Sequence, residues 1–167
     1  MKKTPQRRLA IRSLCMGLLM TLGTTAAWTQ NDESLKNPGV FAGTYTSGNS
    51  QGLYAYRLNN KTGELLYVNA FDGGVNPSYL AVAPNKKFLY AVNETAQFEG
   101  KPGGSVRAFA VEPETLSLLF LNQQSTRGKA PCYLSVDADS QWLLFANYSS
   151  GNAGAFPLSP KGQIQEI

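Results

Sequence analysis

The chain has 167 residues, 43% of them apolar and 16% charged, which is enough for one domain with a real core. Sixteen Gly and nine Pro, with two Trp, eight Tyr and eight Phe, lean toward short strands joined by turns rather than a helical bundle. The formal charge of +4 is a poor guide to partners: five of the 15 basic residues lie in the first twelve positions, and all 11 acidic residues come later.

Met1 to Arg12 carries Lys2, Lys3, Arg7, Arg8 and Arg12 and no acid. Leu14 to Leu22 is a short apolar run, followed by the small residues Gly23-Thr24-Thr25-Ala26-Ala27. Basic, then apolar, then small is the order of a secretory signal peptide cleaved near Ala26 or Ala27. The apolar run is too short to span a bilayer. Residues 1–27 are therefore expected to leave as a signal peptide, 28–37 to be a linker, and 38–167 to fold. The protein is expected to be exported, to the periplasm if the cell is Gram-negative. Ten basic residues then face 11 acidic ones, so neither nucleic acid nor membrane is an expected partner of the mature segment. Cys132 is the one cysteine left there, and a packed, unreacted thiol is the expected state.

Beyond the linker the sequence repeats. Pro77-Ser78-Tyr79-Leu80-Ala81-Val82 returns as Pro131-Cys132-Tyr133-Leu134-Ser135-Val136, an offset of 54 at which Leu89 also matches Leu143 and Asn93 matches Asn147. A second element occurs three times, at Ala55-Tyr56-Arg57-Leu58, Ala108-Phe109-Ala110-Val111 and Ala155-Phe156-Pro157-Leu158. A third begins at Leu65, Leu116 and Ile164. Each unit reads as four strands, in the middle unit A near Tyr79–Ala83, B at Phe88–Asn93, C at Ser105–Val111 and D at Leu116–Asn122. Turns such as Pro84-Asn85-Lys86-Lys87 and Glu112-Pro113-Glu114-Thr115 separate them.

Four-stranded units at this period predict an all-β chain of antiparallel β-propeller blades. The first unit starts at strand B, with Val40 to Tyr45, as expected if a strand from farther along the protein completes that blade. Eleven strands make about two and three-quarter blades, whereas propellers close with four to eight. An incomplete propeller, the first part of a longer protein, is the expectation.

Antiparallel pairing puts the start of A, the end of B, the start of C and the end of D at one end of each blade. The longer loops lie there, at 46–51, 72–76, 95–104 and 125–130, and so should binding. Thr44, Tyr45, Asn76, Asn93, Glu94, Arg127, Lys129, Asn147 and Tyr148 converge on that end. Glu94 is the candidate catalytic carboxylate, as a general base or metal ligand. Tyr45, Asn93, Arg127, Lys129, Asn147 and Tyr148 are candidates for binding hydroxyls or an anionic group of a substrate. Plainer readings compete: a solvated loop carboxylate at Glu94, solvated cations at Arg127 and Lys129, backbone hydrogen bonding at Asn93 and Asn147. For Tyr79 and Tyr133, packing between blades outweighs catalysis. The chain has no His, which excludes a complete Ser-His-Asp or Cys-His arrangement within it. No zinc pattern or phosphate-binding Gly-rich loop occurs, and no cofactor or resident metal is expected.

Asn76 to Val82 followed by Leu89-Tyr90-Ala91-Val92-Asn93-Glu94 resembles the blade motif of the lactonase family, of the 6-phosphogluconolactonase and carboxymuconate cyclase type. Ala130-Pro131-Cys132-Tyr133-Leu134-Ser135-Val136-Asp137, with Ala146-Asn147-Tyr148-Ser149-Ser150-Gly151-Asn152, is similar to a hallmark of that family. The resemblance, which includes the Gly43-Thr44-Tyr45 opening and covers roughly residues 38–167, implies a seven-bladed propeller that opens sugar or muconate lactones by hydrolysis or forms them in the reverse sense; a monomer is expected. The implied partner is a small-molecule lactone. Many relatives carry His where this chain has Tyr133, and a phenol is a poor base at neutral pH. A non-catalytic exported propeller that binds carbohydrate or protein is the alternative, since fold does not fix function.

Overall fold

The computed structural model describes residues 37–166. The expected signal peptide and all but the end of the linker lie outside the described residues. Every regular element among the described residues is a strand.

Three antiparallel sheets follow one another along the chain. The first consists of β1 (Gly39–Gly43), β2 (Gly52–Leu58) and β3 (Leu65–Asp72), in that order. The second consists of β4 (Leu80–Val82), β5 (Phe88–Asn93), β8 (Ser105–Glu112) and β9 (Ser117–Ser125), paired in that order. The third holds β10 (Pro131–Val136), β11 (Trp142–Asn147) and β12 (Asn152–Pro157). These are blades one, two and three, with strands B, C and D in blade one and A, B and C in blade three.

The repeat read from the sequence survives at the level of register. β2 pairs with β3 through a bulge after Ala55, and β8 pairs with β9 through a bulge after Ala108, the equivalent position of the next blade. A bulge strengthens local twist, and both blades take it at the same place.

The structure departs from the sequence reading in three details. The fourth strand expected to open at Ile164 is a single bridge between Leu158 and Ile164. β9 begins one residue late because Leu116 has φ 55°, outside the strand region. The 95–104 loop contains a hairpin of β6 (Gln97–Phe98) and β7 (Lys101–Pro102), turned by Glu99 and Gly100 at φ 50° and 74°. Two consecutive positive φ values suit the twist of a tight hairpin.

Blade two is covered on both sides, and β5 shows how. Leu89 and Ala91 join Leu53 and Phe109, with Phe41, Phe71 and Leu80 packed against them, in the seam between blades one and two. The alternate residues, Tyr90 and Val92, join Val106, Leu134, Leu143, Phe145, Phe156 and Ile164 in the seam between blades two and three. Period-two alternation in a strand buried on both faces thus feeds two cores. Close approach is secured by prolines at the start of strand A. Pro77 is fully buried and lies so close to Gly43 that any side chain there would overlap its carbonyl.

Candidate functional site

Tyr45 follows β1, Ser78 precedes β4 and Glu94 follows β5, so all three stand at the loop-rich end of the seam between blades one and two. The Tyr45 phenol donates to Glu94 Oε2 at 2.9 Å, and the Ser78 hydroxyl donates to the same oxygen at 2.5 Å. Two hydroxyls from two blades converge on one carboxylate oxygen. Oε1 has no partner among the described residues. Glu94 is half-buried and Tyr45 is 57% exposed, so the cluster opens to solvent.

Electrostatics follows from this geometry. The Tyr45 phenol is held above its ordinary value, first by its hydrogen bond to Glu94, then by the carboxylate's charge. Ser78 opposes the shift slightly, while Cys132 adds to it from blade three. Residues of all three blades are therefore within electrostatic reach of one another here. Beside them the rings of Tyr79 and Tyr133 meet across the second seam, with centroids 4.9 Å apart and planes at 44°. Both remain partly exposed, at 37% and 48%.

Asn76 underlies the cluster. Its Oδ1 accepts from the backbone N–H and the hydroxyl of Thr46, at 3.0 and 3.1 Å, and its Nδ2 donates to the Glu94 carbonyl at 3.3 Å. Its own carbonyl accepts from the N–H groups of Ser78 and Glu94.

The other sequence candidates lie elsewhere. Asn93 is buried, its Nδ2 donating to the carbonyls of Gly73 and Val75 at 2.8 and 3.0 Å, while its Oδ1 accepts from Gln123 and Ser105. Its polar atoms are spent inside the protein, on the loop that leads to strand A and on strands C and D of its own blade. Asn147, its equivalent in blade three, is also buried and donates to the Thr126 carbonyl and to Asn152 Oδ1. Arg127, at φ 52°, lines a cleft of about 290 Å³ with Phe98, Glu99 and Lys101, between the β6–β7 hairpin and blade three. Lys129 is exposed, its backbone N–H donating to the Ser150 hydroxyl. Tyr148 is 82% exposed and occupies in blade three the place of Glu94 in blade two. Of the candidates, the structure brings Tyr45 and Glu94 into direct contact.

Ser78 was missed as a ligand of Glu94, although it stands in the repeated Pro-Ser/Cys-Tyr-Leu element. The available signal was the 16-residue spacing that puts the start of strand A beside the end of strand B in one blade. Among the described residues no group of three or more acidic, Cys or His side chains could hold a metal ion.

Comparison with known proteins places this arrangement in context. The family profile "Lactonase, 7-bladed beta-propeller" matches residues 39–167. The 6-phosphogluconolactonase of Bacillus subtilis is 34% identical over 125 residues, covering 75% of this chain and 34% of that protein. The 6-phosphogluconolactonase of Formosa agariphila is 27% identical over 129 residues, covering 77% and 36%. Among solved structures, a candidate 6-phosphogluconolactonase of Bacteroides fragilis superposes with a TM-score of 0.70 at 39% identity, over 77% of this chain and 34% of that one. The periplasmic gluconolactonase of Pseudomonas aeruginosa superposes with a TM-score of 0.69 at 29% identity, over 77% and 36%. The chain spans about a third of the length of the curated relatives it matches.

Proposed function

We propose, because the chain belongs to the lactonase family of seven-bladed β-propellers, that the whole protein hydrolyses a sugar-type lactone and that Glu94 is its general base in this segment. The relatives named for phosphogluconolactone and gluconolactone hydrolysis support the substrate class. The observation that carries the role of Glu94 is its hydrogen bonding. Both donors reach Oε2, which leaves Oε1 to meet a water at the mouth of the seam.

In this reading a water held at Oε1 attacks the lactone carbonyl carbon as its proton passes to the carboxylate. The ring C–O bond then breaks, and the proton is returned to the departing alkoxide, giving the open hydroxy acid. Tyr45 and Ser78 keep the carboxylate oriented between turnovers by donating to the other oxygen. Tyr133, partly exposed beside the Tyr79 ring, offers its phenol hydroxyl to bind the lactone in this scheme. The basic, apolar and small order of the first 27 residues supports an exported enzyme that meets its lactone outside the cytoplasm.

The test is hydrolysis by the full-length protein across free and phosphorylated aldonolactones, with Glu94→Gln alongside. A general base contributes roughly 10²- to 10⁴-fold, so Glu94→Gln should lower kcat by about 100-fold or more with the fold intact. No turnover above spontaneous hydrolysis would reject the lactonase reading and favour a carbohydrate- or protein-binding propeller. Full activity of Glu94→Gln would reject the role of Glu94.

A further inference from the structure

The two seams present the same backbone at their loop-rich ends and different side chains upon it. Asn76 and Ala130 are equivalent positions, two residues before Ser78 and Cys132 in the repeat. Both are in the left-handed region, at φ 50° and 53°. Their carbonyls do the same work: Asn76 accepts from the Glu94 N–H at 3.0 Å, and Ala130 accepts from the Tyr148 N–H at 2.9 Å. The turn is therefore made with alanine in one blade and asparagine in the other. Whatever the Asn76 side chain does, the fold of the turn does not require it.

What the side chain does is join two blades. Thr46 is next in the chain to Tyr45, in blade one, and Glu94 is in blade two. Asn76 Oδ1 accepts both donors of Thr46, Asn76 Nδ2 donates to the Glu94 carbonyl, and the Asn76 N–H donates to the Thr46 hydroxyl at 3.2 Å. The amide cannot be reversed, because the Thr46 N–H can only donate and the Glu94 carbonyl can only accept. In the second seam Thr95 holds the place of Thr46, and its hydroxyl donates instead to the Gln97 carbonyl at 3.0 Å, at the start of the hairpin. No side-chain bridge from position 130 is possible there.

We infer that Asn76 is a positioning residue, whose side-chain amide sets the spacing between the Tyr45 phenol and the Glu94 carboxylate by tying Thr46 to Glu94. Its consequence for catalysis rests on the lactonase reading; its consequence for the phenol does not. The charged and titratable groups that face Tyr45 are Glu94 and Cys132, with the Ser78 hydroxyl beside them. If the spacing relaxes, the phenol loses first its hydrogen bond to Glu94 and with it the largest cause of its upward shift.

The experiment is Asn76→Ala, the substitution that the sister blade already tolerates in this turn. The phenol of Tyr45 is followed by NMR with ring-carbon-labelled tyrosine, assigned through Tyr45→Phe. In the unsubstituted protein Tyr45 should titrate above the ordinary phenol value of about 10, and in Asn76→Ala it should fall back toward it. In the same variant kcat should drop about ten-fold with KM changed less than two-fold. An unmoved Tyr45 titration in Asn76→Ala overturns the inference, even if stability falls. A shifted phenol in a protein that turns over no lactone upholds the positioning and rejects the catalytic reading. Should Asn76→Ala fail to fold, Thr46→Val removes the hydroxyl that Asn76 holds. It should move Tyr45 in the same direction by less, and no movement there overturns the inference.

Discussion

The seam between blades one and two and the seam between blades two and three solve one problem with different chemistry. In each, the C-to-D turn of the later blade comes against the face of the earlier one and brings backbone carbonyls with it. At the first seam Arg57 reaches across. Arg57 is 7% exposed, and its guanidinium donates to the carbonyls of Pro113 at 2.9 Å and Glu114 at 2.5 Å, and to that of Asn37 at 2.9 Å. At the second seam neutral groups do the work. The Asn122 side chain pairs with both the N–H and the carbonyl of Ile164, and the Tyr90 phenol donates to the Gly162 carbonyl at 3.1 Å. Apolar packing makes a propeller seam adhesive, but the carbonyls must be met by donors. Which residue supplies those donors is free to differ from blade to blade.

The largest effect should come from removing the single residue that does most. Arg57→Met keeps much of the stem and loses every donor, leaving three carbonyls without their charged partner. Hydrogen bonds to charged groups contribute about 1.5–3 kcal/mol each and are not additive. A loss of about 3 kcal/mol is expected, read as a lower denaturation midpoint by circular dichroism. A loss below about 1 kcal/mol would mean that water replaces the guanidinium, and that the first seam rests on its apolar core alone.

This comparison also separates what the residues announced from what they concealed. The strands were legible because alternation and turn residues are local: Phe88–Asn93 and Ser105 onward stand where Val, Leu, Phe and Tyr alternate between Pro84-Asn85 and Glu112-Pro113. The offset of 54 then tied the blades together, and Tyr45 and Glu94 could be placed at one end by strand direction alone. Contacts between blades were not legible. Arg57 looks like any outward residue of a third strand, since nothing local says that the Pro113-Glu114 turn lies above it. Ser78 looks like a strand-start serine until Glu94 is brought beside it. Asn93, which reads equally well as a ligand contact, is consumed by the loop at Gly73 and Val75. The β6–β7 hairpin escaped because Glu99 carries no turn signature of its own, and Gly100 alone fits any loop.

The second seam should show its chemistry at alkaline pH. Burial pushes the Tyr90 phenol up to about 12. An unfolded phenol titrates near 10. The folded value is the higher one, so the stabilisation is complete below about pH 10 and is lost as pH rises through about 12. At about 1.4 kcal/mol per pH unit the loss approaches 2–3 kcal/mol at the top of that window. Denaturation midpoints between pH 9 and 12 should therefore fall in the unsubstituted protein. In Tyr90→Phe that part of the slope should vanish, with a lower starting stability because the Gly162 carbonyl has lost its donor. An unchanged slope in Tyr90→Phe would assign the alkaline weakness to other groups and remove this contrast between the seams.

The smallest effect sharpens the comparison at the other end of the seams. Ala130 holds φ 53° without the side chain that suits it, whereas Asn76 holds φ 50° with it. The left-handed region costs an ordinary L-residue roughly 1–2 kcal/mol, and Asn is among the few residues that visit it routinely. Ala130→Asn should therefore stabilise by about 0.5–1 kcal/mol, a rise in Tm of roughly 2–4 °C. The gain should come from the backbone alone, because the Thr95 hydroxyl is already committed to the Gln97 carbonyl and is not poised to bridge as Thr46 does. The titration of Tyr45 should accordingly stay where it is. A movement of Tyr45 on substitution at position 130 would mean that the two seams are coupled through Cys132, and that the site belongs to three blades rather than to the pair that holds Glu94.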